Sequence, residues 1–256
     1  MTILASAAHV LRCFDSECTE VTVSDLVTRL GMPKSNASRL LRAMRAVGLL
    51  ETVGASKRYR PGRLLVDLAR VYRRSSTLLE HASAVVAKVS SACGHTGYVS
   101  IQDGMMVMAV TDHPGSNALR VVSTIGRRLP AFASATGRSL LARLPDGEVK
   151  RLYATGLKPP SPSAPQSVEE LLERLGRIRE SGIATSSDEA TRGADALAVA
   201  VGDPATGEEV SLCIVLPASA VDAAERAAIG QALYEGAAEI AALTGDAYFP
   251  RMSAAA

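Results

Sequence analysis

No apolar run in this 256-residue chain approaches the ~20 residues that a membrane-spanning helix needs. Runs such as Met105 to Val110 are closely flanked by charge, here Asp103 and Asp112. Residues 3–11 are mildly apolar, but no basic segment precedes them and His9 interrupts them, so they do not read as a secretory signal. A cytoplasmic protein with no membrane partner is the expectation. Cysteine is equally scarce. Cys13, Cys18, Cys93 and Cys213 show no CxxC or Cys/His spacing suited to zinc, and four are too few to staple a chain of this length. They are read as buried thiols, and no metal site is expected. The signatures of catalysis are missing too. There is no GxSxG and no HExxH, and a phosphate loop around Thr136-Gly-Arg-Ser139 would need glycine at position 132 and lysine at 138, where Phe132 and Arg138 stand. No catalytic residue, no cofactor and no enzymatic activity are expected.

What is present is an ordinary globular composition, 47% apolar and 21% charged, in a chain whose length suits two modest domains. The net charge of +2 conceals a division. Residues 1–74 hold 13 Lys+Arg against 6 Asp+Glu, whereas residues 75–256 hold 15 against 20. The front third therefore suits a polyanion and the remainder does not.

Ile3 to Phe14 places apolar residues at 3, 4, 7, 10, 11 and 14, the spacing of an amphipathic helix. Thr22-Val-Ser-Asp25 resembles a capping box that opens a short helix from Val23 to Leu30. Gly31 can end it in the left-handed region, and Pro33 suits the first position of a next helix running to about Val47. Strands Leu49–Val53 and Lys57–Arg60 follow, joined by a tight turn at Gly54-Ala-Ser56, and Pro61-Gly62 closes the unit. The helical period resumes from Arg63 to about Val89, with a break expected near Ser75-Ser76. Beyond Gly94 the pattern predicts strands at Tyr98–Gln102, Met105–Val110 and Leu119–Val122, then helices near Gly137–Arg143 and Asp146–Thr155. A Pro-rich loop from Lys158 to Gln166, a helix over Val168–Ser181, strands at Ala196–Val201 and Val210–Leu216 and a terminal helix over Val221–Leu243 complete the reading. Ala254 to Ala256 reads as a frayed end. Strands interleaved with helices predict an α+β domain with an antiparallel-rich sheet.

Two short helices joined by a turn at Gly31-Met32, followed by a hairpin, make a winged helix-turn-helix. Its second helix, Pro33-Lys-Ser-Asn-Ala-Ser-Arg-Leu-Leu-Arg-Ala-Met-Arg45, turns Ala37, Leu40, Leu41, Met44 and Val47 inward. Lys34, Ser35, Asn36, Ser38, Arg39, Arg42 and Arg45 are left on other faces, as a groove-reading helix requires. Arg39 can make a bidentate contact with guanine and Asn36 with adenine, while Lys34 and Ser35 stand where free N–H groups favour a phosphate. Arg42 and Arg45 suit backbone phosphates, and Lys57 and Arg58 near the hairpin tip can reach an adjacent minor groove or phosphate.

At these residues the sequence resembles the IclR family of bacterial transcriptional regulators. The front match runs from Val23 to Arg42, then through Gly48-Leu-Leu50 and Tyr59-Arg-Pro-Gly62. The rear match is Gly126-Arg-Arg-Leu-Pro-Ala-Phe-Ala-Ser-Ala-Thr-Gly-Arg-Ser-Leu-Leu-Ala142, with Ser181-Gly-Ile-Ala184, Asp188-Glu189 and Gly193. The resemblance implies a winged helix over 1–62, a linker helix over 63–76 and a GAF-like effector-binding and oligomerisation domain over 77–250. It also implies homodimers or tetramers that bind palindromic promoter DNA, as repressors or activators, under the control of a small organic molecule. By resemblance, Ala135 and Thr136, in the loop before the Gly137 helix, present N–H groups to the effector, and Val121, Ser187, Asp188, Ala196, Cys213 and Val215 form the walls. A loop opening a helix suits a carboxylate. Cys213 and Val215 stand where serines are common in the family, which favours an organic acid with a larger or aromatic body. Arg120, Arg127 and Arg128 are candidate counter-charges that read more readily as surface arginines, and His95 and Tyr98 read as core-edge residues. A ligand-independent DNA-binding protein, or an enzyme fused to a DNA-binding domain, is the alternative.

Overall fold

The computed structural model describes residues 2–15, 18–54, 56–121, 125–218 and 221–249. Ala55 of the expected turn, Val122 of the expected strand and the end at Ala254–Ala256 lie outside them. The chain forms two compact units, Met1–Ser75 and Ser76–Ala256.

In the first unit, α1 (Ile3–Leu11), α2 (Val23–Leu30) and α3 (Lys34–Ala46) precede a two-stranded antiparallel wing, β1 (Leu50–Thr52) and β2 (Tyr59–Pro61), and α4 (Arg63–Ser75). Val10, Leu26, Leu40, Leu41, Met44 and Leu50 form the core of this small unit. The capping box forms as expected: the Thr22 hydroxyl accepts from the Asp25 N–H at 3.3 Å and the Asp25 carboxylate accepts from the Thr22 N–H at 2.7 Å. Gly31 ends α2 at φ 63°, in the left-handed region. Pro33 caps α3 from outside rather than starting it, since its ψ of 137° is not helical.

The second unit begins where Ser76 caps α5 (Thr77–Cys93), its hydroxyl accepting from the Leu79 N–H at 3.0 Å. The expected break at Ser75-Ser76 is therefore real. Then come β3 (Thr96–Asp103), β4 (Met106–His113), β5 (Arg128–Pro130), a 3₁₀ turn at Ala131–Ala133, α6 (Ala135–Leu141), α7 (Asp146–Leu152), α8 (Val168–Ser181), β6 (Ala184–Ser187), β7 (Ala194–Asp203), β8 (Glu208–Pro217) and α9 (Ala223–Thr244). The strands pair antiparallel in the order β5-β4-β3-β8-β7-β6. Strand alternation sorts the sheet into two faces. Leu197, Val199, Val201, Leu212 and Ile214 pack with α5 and α9, whereas Ala196, Ala198, Ala200, Cys213 and Val215 pack with α6 and α8. The small residues on the second face let α6 lie close to β7.

Several expectations need correction. Leu119 to Val121 form no strand, and the sheet edge is instead made by β5. The short edge strand β6 was not anticipated. Helix α6 starts at Ala135, so Ala135 and Thr136 belong to its first turn rather than to the loop before it, because Ser134 takes the capping role by accepting from the Gly137 N–H at 3.1 Å. All four cysteines are free as expected, but Cys18 and Cys93 are only half-buried.

Candidate DNA-reading and effector sites

Helix α3 divides as its periodicity predicts except at Val47, which stands past the last helical residue and is 63% exposed rather than turned inward. Ala37, Leu40, Leu41 and Met44 are buried, Lys34, Ser35, Asn36, Arg39, Arg42 and Arg45 are exposed, and Ser38 is half-buried. No side chain caps the start of α3, which leaves its first N–H groups open to an acceptor from outside. Arg42 folds back on its own helix, Nε donating to the Ser38 carbonyl at 3.3 Å. In the wing, Lys57 and Arg58 sit in the connection before β2 rather than within it. Arg58 is drawn into an ion pair with Glu20 at 3.2 Å, while Lys57 has no such partner among the described residues. A second exposed pair, Arg60 with Glu51 at 2.6 Å, ties the two wing strands together.

In the second unit, β3 and β8 bring Tyr98 opposite Cys213, and β7 and β8 bring Ala196 opposite Val215. Tyr98, Val121, Arg127, Thr136, Thr191 and Val215 help to line a cavity of only about 30 Å³, room for one or two waters. Ser100, Val107, Ala109 and Leu129 complete it. The Tyr98 hydroxyl lies beside the Cys213 thiol and the Thr136 hydroxyl. Burial pushes that hydroxyl well above its ordinary pKa and the thiol adds to the effect, while Arg127 and Thr136 pull the other way. Burial likewise pushes the Cys213 thiol up to about 12, which keeps it protonated and unreactive.

The eight expected effector residues do not share one surface. Val121, Thr136 and Val215 line the small cavity, Cys213 lies beside it through Tyr98, and Ala135 is fully buried at the start of α6. Ser187 and Ala196 line a separate, wider cavity of about 880 Å³ beside the β6 edge. Asp188 is exposed at φ 53°, its carboxylate accepting from the Gly193 N–H at 2.5 Å, so it shapes a turn. Of the three candidate arginines, Arg120 donates to the Gly115 carbonyl at 2.9 Å and Arg128 pairs with Asp103 at 3.1 Å, so only Arg127 faces the cavity. Tyr98 and Arg127 are thus the residues that sequence reasoning undervalued. Their shared surroundings come from cross-strand register and from β5, neither of which is written in local periodicity.

In the wall of the wider cavity, Arg138 is buried with Glu189 in a two-pronged ion pair, one contact at 2.8 Å. It also donates to the carbonyls of Phe132 and Thr185, tying α6 to the edge strand β6. No group of His, Cys, Asp and Glu suited to a metal ion occurs among the described residues, and no helix there is long and apolar enough to cross a membrane.

A winged helix-turn-helix with a cationic reading helix, followed by an antiparallel α+β unit that encloses a polar cavity, defines a two-part DNA-binding regulator. The family comparison agrees with that class: the IclR helix-turn-helix domain model matches residues 4–54, and the bacterial transcriptional regulator IclR C-terminal model matches residues 71–242. The chain belongs to the IclR family of bacterial transcriptional regulators. It is 29% identical over 86% of its length to the HTH-type transcriptional regulator XynR of Escherichia coli, 88% of which is covered. Among solved structures, it matches an IclR transcriptional regulator from Alicyclobacillus acidocaldarius with a TM-score of 0.86 at 26% identity, over 95% of this chain and 98% of that one. An IclR homolog from Microbacterium hydrocarbonoxydans complexed with 4-hydroxybenzoate matches with a TM-score of 0.79 at 23% identity, over 93% and 97% of the two chains. These relatives are transcriptional regulators rather than enzymes.

Proposed function

We propose that the protein binds a palindromic promoter site as a homodimer or tetramer and that a small organic acid, seated in the Tyr98–Thr136–Val215 cavity, controls that binding. The division of α3 carries the DNA half of the reading: one buried apolar stripe, an exposed set of Lys34, Asn36, Arg39 and Arg45, and an uncapped N-terminus. Arg39 and Asn36 read bases, Lys34 and Ser35 hold a phosphate at the helix start, and Arg42, Arg45 and Lys57 set position on the backbone. Arg58 contributes once DNA competes with Glu20 for its guanidinium. The acid class is supported by the cavity's hydroxyls and single cation, by the apolar Val107, Leu129 and Val215 around them, and by the 4-hydroxybenzoate bound in a fold relative.

Gel-shift titration on operator and scrambled DNA tests the DNA half. Arg39→Ala weakens operator binding by about 1–3 kcal/mol and erodes discrimination, whereas Lys57→Ala weakens both DNAs evenly. Unchanged binding in both variants removes α3 and the wing from the interface. Thr136→Leu, which fills the cavity, abolishes the response to an effective acid while leaving operator binding intact.

A further inference from the structure

Arginines are plentiful in the second unit, and those buried or half-buried around its core have carboxylate partners. Arg138 has Glu189, Arg143 has Glu209 and Asp246, Arg174 has Glu170 and Glu189, and Arg226 has Asp195. Arg127 does not. Half-buried at the cavity, it makes no ion pair among the described residues, and its guanidinium donates to a neutral acceptor, the Thr191 hydroxyl, at 2.8 Å. None of the ten lining residues is acidic, so the cavity carries one positive charge and no negative one. Around that charge stand the hydroxyls of Tyr98, Ser100, Thr136 and Thr191.

The hydrogen bond also closes the site. Arg127 lies just before β5, and Thr191 lies in the connection between β6 and β7, so the contact bridges two segments of the cavity wall. With that bridge in place the space is about 30 Å³, too small for any carboxylic acid. An acid must therefore open the wall as it enters. A guanidinium holds a carboxylate through two parallel hydrogen bonds between opposite charges, whereas the Thr191 hydroxyl accepts one and brings no negative charge. The acid thus supplies what the bridge lacks.

We propose that Arg127 is the specificity-determining anchor of the effector site and that the Arg127–Thr191 hydrogen bond is a latch, exchanged for an Arg127–carboxylate pair when a monocarboxylic acid binds. The inference rests on the effector reading above and deepens it. It assigns the charge recognition to Arg127 across from Thr136, and it makes the β6–β7 connection the segment released by the ligand. The two latch partners must then act in opposite directions. Arg127→Gln removes the anchor and weakens acid binding at least about tenfold. Thr191→Val, nearly isosteric, removes only the competing acceptor and tightens the acid about two- to tenfold.

The experiment is calorimetric titration of the full chain with sodium benzoate and with sodium pyruvate, each against its uncharged amide. Wild type, Arg127→Gln, Thr191→Val and Thr136→Leu are compared, with operator binding in the absence of acid as the check on folding. Expected are an acid preferred over its amide in wild type, loss in Arg127→Gln, gain in Thr191→Val and loss in Thr136→Leu. Equal acid affinity in wild type and Arg127→Gln, with Thr136→Leu still blocking, overturns the anchor and leaves the effector site standing. A Thr191→Val variant that binds more weakly than wild type overturns the latch. Acid binding indifferent to all three substitutions, or no binding of either acid at millimolar concentration, overturns the effector reading together with the inference.

Discussion

Gly137 lies so close to the preceding turn that a Cβ built there would stand 2.1 Å from the Ala131 carbonyl oxygen. Nothing flexible can yield, because the obstacle is backbone. Gly137→Ala is therefore expected to destabilise the protein by at least about 1–3 kcal/mol and to displace Thr136 from the cavity, read by urea unfolding. The next residue gives a second test. Arg138 is 1% exposed and its carboxylate partner Glu189 6%, so neither charge has water to fall back on. Glu189→Gln strips the pair of its negative charge and should cost about 3–5 kcal/mol. Glu20→Gln, which breaks the exposed Arg58 pair, should cost no more than about 1 kcal/mol. Similar losses for the two in urea titrations would mean that burial does not govern these pairs.

Helix α2 illustrates what an element owes to its local sequence. Its cap is built wholly from Thr22 and Asp25, and Thr22→Ala should cost about 1 kcal/mol. The cap is also sensitive to acid. Hydrogen bonds from the Thr22 hydroxyl and the Thr22 N–H hold the Asp25 carboxyl below its ordinary value. A depressed folded pKa means that this stabilisation is complete above the unfolded carboxyl value of about 3.9 and is lost as pH falls through the folded one. Acid titration of stability should accordingly fall less steeply in Asp25→Asn than in the native chain. Elements of this kind were legible: α2 and α8 (Val168–Ser181) were found with their bounds because caps and periodicity are local. Strands β5 and β6 were not. Ala184-Thr-Ser-Ser187 shows no apolar alternation and becomes a strand only because β7 offers it an edge. The same distinction separates the two sites. The proposed base-reading residues lie on one helix and follow from a period of 3.6, whereas the cavity needs Tyr98 set opposite Cys213 across a sheet whose register no local pattern fixes.

At the scale of the whole molecule, α4 is an element without a core of its own. None of its described residues is buried, yet Leu64, Val66, Leu68, Val71 and Tyr72 are apolar and 39–68% exposed. Leu64, Leu68, Val71 and Tyr72 follow the spacing i, i+4, i+7, i+8, so they form one stripe along the helix. A contiguous apolar stripe left in water is costly at roughly 25 cal/mol per Å², and a second copy of the same helix offers a self-complementary cover. This is the physical ground for proposing a dimer, and it sets the operator: two-fold related reading helices need half-sites with centres roughly 34–36 Å apart or a multiple of that. Leu68→Glu combined with Val71→Glu should therefore shift sedimentation towards the monomer. It should also weaken binding to the intact operator far more than to an isolated half-site, because the second half-site then no longer benefits from tethering. A variant that stays assembled, or a native chain that is monomeric at full operator affinity, would show that α4 is not what joins the copies.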